Sequence, residues 1–309
     1  MCCPLCRGED HTLLERIRVE HLDHEYQRQL GVRVRAEFPS GLDELTMRRC
    51  RGCGLEFYEP GVAGSSRFYE DIARSQQYYS TARWEFHETL RRLPPDPDLL
   101  DVGCGDGFFL SLVKGGRRRG LELNPEAVRK ARAKGLEVEE ALLPAVPAGD
   151  ADIITLFQVL EHVEDPVGVL GQAARVLRPG GRLFVAVPNN DAYIGRALQD
   201  PLNAPPHHPL RWRPDALRQV PKHAPFALEE LLLEPLAPEH LYSYRRTQCV
   251  TALGRCLGRT LPRYRVSVGM TLVRRLANLW ALAAVRLRPV PPGGAGLGFS
   301  VMAVYRKSG

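Results

Sequence analysis

Through the middle of the chain, short apolar runs alternate with longer stretches in which apolar residues recur every third or fourth position. Segments 99–102, 118–123, 136–140, 151–157 and 182–187 have the length and the Leu, Val and Ile content of strands buried within a sheet. The stretches between them read as helices. Asn124 followed by Pro125 offers an N-cap and a proline at the first helical position, which opens a helix over 125–134 that Gly135 closes. Pro166 helps start a second helix that runs to Leu177, and Pro179-Gly180-Gly181 turns the chain into the strand that follows. Strands separated by helices of about ten residues predict an α/β fold with parallel crossovers, and such sheets take ligands at the carboxyl ends of their strands. A sixth strand is expected over 226–236. The last, over 298–306, alternates Phe299, Val301, Ala303 and Tyr305 and is expected antiparallel at the sheet edge.

Outside this frame the pattern changes. Residues 66–93 are helix-forming and aromatic, with Phe68, Tyr69, Tyr78, Tyr79, Trp84 and Phe86, until Pro94-Pro95-Asp96-Pro97 breaks the helix. Near the N-terminus, 17–19 and 32–36 alternate like strands of a hairpin or small sheet. Residues 240–292 form an insertion. At helical pitch it gathers Leu272, Val273, Leu276, Leu279, Trp280, Ala283, Ala284 and Leu287 on one face, opposite Arg274, Arg275, Asn278 and Arg288. The apolar face is expected to pack on the body or on a second subunit; its basic border and Trp280 also suit a peripheral membrane contact. Residues 289–298 form a flexible lead-in to the last strand and a candidate lid.

Composition sharpens this picture in two places. The chain has 309 residues, enough for a sizeable core, and no apolar run of membrane-spanning length. No signal peptide precedes the first cysteines, so a cytoplasmic protein is expected, with its eight cysteines reduced or metal-bound. The net charge of +6 conceals an asymmetry. No Asp or Glu follows Glu239, whereas Lys and Arg number 12 between Arg245 and Lys307, which leaves 30 basic against 36 acidic side chains before them. Such a basic end favours an anionic partner or simply forms a solvated arginine face.

The candidate chemistry centres on Asp101-Val-Gly103-Cys104-Gly105-Asp106-Gly107, where a strand turns into a helix. Glycines remove Cβ atoms from the crest of the turn and let the backbone approach a ligand, and the helix start favours an electron-rich group. The spacing D-x-G-x-G-x-G differs from the dinucleotide fingerprint. Asp101 stands where a carboxylate can hold a ligand's ammonium group. Glu122, 21 residues later at the next strand tip, can hold both hydroxyls of a ribose. An amino acid at one end and a nucleoside at the other describe S-adenosylmethionine.

With Ala151-Asp-Ile-Ile-Thr-Leu-Phe-Gln-Val-Leu-Glu-His-Val163 and Leu177-Arg-Pro-Gly-Gly-Arg-Leu-Phe-Val-Ala-Val-Pro188, the chain resembles the class I S-adenosylmethionine-dependent methyltransferases over residues 66–190. The resemblance implies a seven-stranded Rossmann-like sheet with helices on both faces. It implies cofactor contacts from Asp101, Gly103, Cys104, Gly105, Gly107, Glu122, Leu123, Phe157 and Gln158, with Glu140 and Ala141 facing the adenine and Tyr78 or Tyr79 near the ligand.

Cys3-Pro-Leu-Cys6 and Cys50-Arg-Gly-Cys53-Gly54 carry a second signal. Two C-x-x-C pairs are the knuckles of a four-thiolate zinc ribbon, and four thiolates leave no open coordination position, so the Zn2+ is expected to be structural. Cys2 is a spare thiol or an alternative ligand. A ribbon ahead of this core resembles a subgroup that includes sugar-nucleotide C-methyltransferases and enzymes of polysaccharide and natural-product pathways. The resulting organisation is a zinc-ribbon module over 1–60, a cofactor-binding core over 61–239, and a basic helical insertion plus final strand over 240–309.

Methyl transfer needs alignment and, for a hydroxyl or carbon acid, a base. His207 and His208, in the rigid segment Pro205-Pro206-His207-His208-Pro209-Leu210-Arg211-Trp212, are the candidates, His208 first, with His162 and Glu161 nearer the cofactor. Arg211 could hold a phosphate or carboxylate of the acceptor. Glu161-His162 also resembles part of a divalent-metal motif, but Gln158 stands where that motif has its first Glu. Cys104, Cys249 and Cys256 are expected as buried fillers. The reading is methyl transfer to a small anionic metabolite, a nucleotide sugar, polysaccharide or natural-product intermediate. RNA methylation, with ribbon and basic end gripping phosphates, and a non-catalytic cofactor-binding module are the alternatives; the ribbon is not markedly basic, which counts against nucleic acid.

Overall fold

In the N-terminal segment, β1 (His11–Arg18) is followed directly by helix α1 (Val19–Leu30), not by a second strand. Val19, Leu22, Tyr26 and Leu30 recur at helical spacing and are buried, so the longer 3.6-residue period prevails over the local alternation at 17–19. The strand expected at 32–36 is also absent, and a single 3-10 turn, Arg35–Glu37, ends the segment. Asp23 explains it: its Oδ1 accepts the N–H groups of Val34 at 2.7 Å and Arg35 at 3.1 Å, donors that a strand would have offered to a neighbour. The chain then returns as β2 (Glu44–Cys50), antiparallel to β1, and β3 (Glu56–Glu59), antiparallel to β2.

The computed structural model describes residues 2–75, 83–258, 261–264, 268–287 and 296–308. Tyr78, Tyr79, Arg288 and most of the 289–298 lead-in lie outside the described residues. Helices α2 (Ser66–Ser75) and α3 (Trp84–Leu90) lead into the core. There β4 (Asp98–Val102), α4 (Phe108–Leu112), β5 (Arg117–Leu121), α5 (Pro125–Ala133) and β6 (Glu137–Glu139) follow in order. Asn124 caps α5 as expected, its side-chain oxygen accepting from the N–H groups of Glu126 and Ala127. Strand β7 (Ala151–Phe157), helix α6 (Pro166–Val176) and strand β8 (Leu177–Pro188) complete the parallel part. A two-residue strand β9 (Leu210–Arg211), helix α7 (Pro214–Gln219), strand β10 (Phe226–Leu233), helices α8 (Leu241–Cys256) and α9 (Val268–Leu287) and strand β11 (Ser300–Lys307) end the chain.

The large sheet has the order β10-β11-β8-β7-β4-β5-β6, with β8, β7, β4, β5 and β6 parallel. Strand β11 is antiparallel, as expected, but it does not lie at the edge: it is paired on one side with β8 and on the other with β10, which is the edge. Its first six residues are buried, because both faces and both flanks are covered. The order reverses between β4 and β7, so the tips of β4, β5 and β7 open onto one crevice.

Three further expectations change. Strand β9 joins β3, so the small sheet reads β1-β2-β3-β9 and takes its last strand from beyond residue 200. Helix α9 is rotated from the expected packing, with Val273 and Ala284 of the expected face still turned inward. Met270, Ala277, Ala281 and Ala284 are buried, because alanines allow close approach to α8, whereas Leu272, Leu276, Leu279 and Trp280 are exposed. Arg274, expected outside, donates to Gln199 Oε1 at 2.9 Å. Among the cysteines, Cys104 is buried, Cys249 half-buried and Cys256 exposed. No helix among the described residues is long and apolar enough to cross a membrane.

Candidate functional site

The crest between β4 and α4 is closed by two backbone bonds, from Gly103 N and Cys104 N to Leu121 O, at 2.8 and 3.1 Å. Gly103 adopts φ +72°, and a Cβ there would meet Val159 Cγ2 at 2.9 Å. Gly107, at φ +75°, serves packing: its Cβ would fall 2.4 Å from Leu136 Cδ1, so this glycine lets the start of α4 approach the end of α5. Cys104 turns its thiol into the core over Gly120, leaving only its backbone at the crevice.

Asp101 is 2% exposed and accepts the Thr155 hydroxyl at 2.6 Å. Burial pushes its carboxyl up to about 7, and the nearby Glu122 charge adds to the rise. A buried carboxylate in this state favours a cationic ligand group. Glu122 holds the turn from the next strand tip. One oxygen accepts Gly105 N at 2.9 Å; the other accepts Leu123 N and Asn124 N, both at 2.8 Å. A carboxylate has about four acceptor positions and three are occupied, so one ribose hydroxyl can still be accepted. Leu123 beside it is 57% exposed, an apolar surface at the mouth of the crevice. The residues fit a ligand with an ammonium group at one end and a ribose at the other.

At the tip of β7, Phe157 is buried against Phe86 and Phe109, with ring centroids 5.3 and 4.9 Å away. Gln158 has φ +55°, an uncommon conformation for a side chain of this size and one that clusters at functional sites. It is held by its N–H to Ala186 O at 2.7 Å and by Nε2 to Glu85 Oε1 at 3.0 Å and Ser300 Oγ at 3.3 Å. Sequence patterning gave no signal for Glu85 or Arg83, which reach the crevice only through the fold; the Arg83 charge acts on Asp101, Glu161 and His162.

His162, His207 and His208 come together from two segments. Their ring centroids lie 4.3 to 4.7 Å apart, His207 stacked on His208 and His162 edge-on to both. His162 Nδ1 faces His207 O at 2.8 Å and the Tyr69 hydroxyl at 3.2 Å. Burial drives all three imidazoles toward the neutral form, His162 to about 4 and the other two well below the ordinary histidine value. Glu161 is 1% exposed, neither of its oxygens has a hydrogen-bond partner among the described residues, and burial pushes it up to about 8.

The segment carrying His207 and His208 is fastened from the small sheet. Tyr26 donates to Ala204 O at 2.9 Å and Tyr58 to Asn203 O at 3.3 Å. Arg211 does not face an acceptor. It is 1% exposed and donates to Glu56 Oε2, Asn203 O and Gly195 O at 3.1, 3.1 and 2.9 Å. The physical reason is β9: pairing Arg211 with Glu56 points its side chain into the seam between the small sheet and the loop.

The four cysteines meet as their spacing predicts. The two turns repeat one pattern, Cys3 N to Gly8 O with Arg7 N to Cys3 O, and Cys50 N to Leu55 O with Gly54 N to Cys50 O. The left-handed position falls on Arg7 (φ 59°) and Gly54 (φ 81°). All four sulfurs of Cys3, Cys6, Cys50 and Cys53 lie within 4.8 Å of one another, a set that can hold one tetrahedral ion. Cys2 stands outside, exposed, with its thiol 3.7 Å from Glu9 Oε1.

A family model described as "Methyltransferase domain" matches residues 74–231. A ubiquinone biosynthesis O-methyltransferase of Xanthomonas oryzae is 38% identical over 104 residues, covering 29% of this chain and 43% of that protein. A probable S-adenosylmethionine-dependent methyltransferase of Mycolicibacterium smegmatis is 33% identical over 142 residues, covering 44% of this chain and 54% of that protein. A ubiquinone biosynthesis O-methyltransferase of Marinobacter nauticus is 30% identical over 155 residues, covering 43% and 64%. The chain thus spans about half the length of the curated relatives it matches.

Proposed function

Because this chain belongs to the methyltransferase domain family, we propose that it moves a methyl group from S-adenosylmethionine to a hydroxyl or carbon acid of a small, anionic metabolite. The observation that carries the reading is the pair of carboxylates, Asp101 and Glu122, at neighbouring strand tips over the glycine turn. Bound there, S-adenosylmethionine supplies a methyl group already activated on a sulfonium. The remaining work falls to the chain. Asp101 would take the ammonium and Glu122 a ribose hydroxyl, with Leu123 offering an apolar surface to the base. Phe157 and Gln158 border the reacting end.

On the acceptor side, neutral imidazoles of His162, His207 and His208 supply lone pairs for the proton that the acceptor loses. Buried Asp101 and Glu161 and the aromatic wall of Phe86 and Phe157 keep water out. Arg83, whose charge reaches three groups of the crevice, supports an anionic acceptor in place of Arg211. Nucleotide sugars and polysaccharide or natural-product intermediates are the acceptor class, and the O-methyltransferase relatives favour oxygen over carbon. The four-cysteine cluster supports a structural Zn2+ that fixes β2 and β3.

Calorimetry of the full chain with S-adenosylmethionine and its demethylated product tests the reading. Binding of both, weakened at least tenfold in Asp101→Ala, is expected; a wild-type chain that binds neither overturns it. Transfer of labelled methyl to a panel of sugar nucleotides, against an RNA control, then identifies the acceptor class.

A further inference from the structure

We propose that His162, His207 and His208 form a second metal site, separate from the four cysteines, which takes a divalent transition ion such as Zn2+ on the acceptor side of the crevice. Each histidine offers one ring nitrogen, and the three nitrogens lie within 4.8 Å of one another. Small side-chain rotations bring such a set to the roughly 2.1 Å that zinc–imidazole bonds require.

The tautomers are set for it. His162 Nδ1 faces the His207 carbonyl at 2.8 Å and His207 Nδ1 faces the Leu202 carbonyl at 2.8 Å. A carbonyl only accepts, so both Nδ1 atoms carry the proton and both Nε2 atoms carry the lone pair. Donation of the second ring nitrogen to a backbone carbonyl is the arrangement that orients histidine ligands in metal sites. His208 is 6% exposed, and its Nδ1 is buried with no hydrogen-bond partner among the described residues. Without an ion, His208 Nδ1 stays buried without a hydrogen bond among the described residues, and an ion would satisfy it.

The neighbouring charges agree. Glu161, next in sequence to His162, is buried with neither oxygen satisfied, and a dication nearby supplies the missing counter-charge. Imidazole donors select zinc-like or iron-like ions over magnesium. Three protein ligands leave a position open, where an acceptor hydroxyl would lose its proton at lower pH than in water. This role rests on the methyl-transfer reading and, with the ion bound, would take the place of direct proton uptake by the three imidazoles; the ion's presence does not rest on that reading.

Cobalt distinguishes the two sites in the intact chain, because thiolate ligands give a charge-transfer band that imidazole ligands do not. After chelation, the full chain is titrated with Co2+. The expected result is one bound equivalent without the thiolate band, in addition to whatever the cysteines take up with it. His208→Ala should lose that equivalent and keep the thiolate band. If all bound cobalt shows the thiolate band, or His208→Ala still binds the band-free equivalent, the proposal is wrong. Should His208→Ala fail to fold, the wild-type histidine ring 15N signals decide: Zn2+ must shift three of them, and unshifted rings overturn it. Loss of cofactor binding would count only against the function proposed above.

A second observation stands independently. Leu272, Leu276, Leu279 and Trp280 are exposed on one face of α9, with exposed Arg275 and Arg286 at its borders. No acidic residue follows Glu239. An apolar stripe edged with arginine and tryptophan fits the headgroup layer of an anionic membrane. We infer that α9 docks this face on such a surface. The full chain is expected to sediment with phosphatidylglycerol vesicles at least tenfold more than with phosphatidylcholine vesicles, and Leu279→Glu to abolish the difference. No sedimentation, or burial of the face in a dimer that Leu279→Glu dissociates, overturns the inference.

Discussion

Replacing Glu56 should destabilise the protein more than replacing its partner Arg211, and the size of each effect follows from what the other charges do. The pair is buried, with side chains 2% and 1% exposed and Arg211 Nε donating to Glu56 Oε2 at 3.1 Å. Removing one member of a buried ion pair costs about 3–5 kcal/mol, mostly because the survivor is stranded. In Arg211→Ala, Glu56 keeps Arg49 at 2.6 Å and Arg213 at 3.4 Å. The two carbonyls that lose Arg211 keep other donors: Asn203 O has Tyr58 and Tyr264, and Gly195 O has Arg263. The expected loss is therefore about 3 kcal/mol, the lower end of that range. In Glu56→Ala, Arg211 remains buried without its anion and the three other arginines repel it, so the loss should reach about 5 kcal/mol.

Burial raises the Glu56 pKa, but Arg211 and Arg49 more than offset this and hold it below the ordinary carboxylate value. A carboxylate with a depressed folded-state pKa contributes stability above its unfolded pKa of about 4.3 and loses it as pH falls through the lower folded value. The gap between wild type and Glu56→Ala should therefore narrow below about pH 4. Urea unfolding at pH 7 and at acid pH, with the double variant to close the cycle, measures all of this. Two single variants each costing under about 1 kcal/mol, or the reverse order of the two, would refute the assignment of this pair as a buried clamp.

Cofactor affinity in the full chain should rise with pH through about 7, because the ammonium group favours ionised Asp101, whose folded pKa is raised to about 7. Calorimetry in two buffers of different ionisation heat should show proton release on binding at pH 6, and pH-independent binding would argue against Asp101. Gly107→Ala should cost about 1–3 kcal/mol, since its Cβ would sit 2.4 Å from Leu136 Cδ1 at a positive φ; thermal unfolding reads it. Cys53→Ser should abolish the zinc binding proposed for the cysteines and loosen β2 and β3, seen as faster amide exchange at Thr46 and Phe57, while the proposed S-adenosylmethionine binding at the glycine turn persists.

What the sequence disclosed was local. The strands over 151–157 and 182–187 are dense in β-branched and apolar residues, Asn124-Pro125 is a cap that needs no tertiary context, and each C-x-x-C closes within six residues. What it concealed depends on distant partners. Two residues, Leu210 and Arg211, are too short a strand to show any period, and β9 exists only because β3 waits for it 150 positions earlier. The same seam reversed the reading of Arg211 from acceptor contact to buried clamp. In α9 the period was right but the stripe buried in the chain is turned from the most apolar one: hydrophobicity marks Leu272, Leu276 and Leu279, but the close contact with α8 is made by alanines, which carry little apolar signal. Gln158 in the left-handed region, with Glu85 beneath it, leaves no mark in composition or spacing.

The shared strand β9 also bears on how this protein can be cut, trimmed or recombined. A fragment starting near residue 66 would retain every strand of the large sheet yet strip β3 from Leu210 and the Tyr26 and Tyr58 tethers from Ala204 and Asn203. Exchanging the first sixty residues for those of a relative faces the same obstacle unless 193–213 travels with them. Residues far apart in this chain thus share one structural unit, and replacing one end of that seam alone removes the contacts of the other.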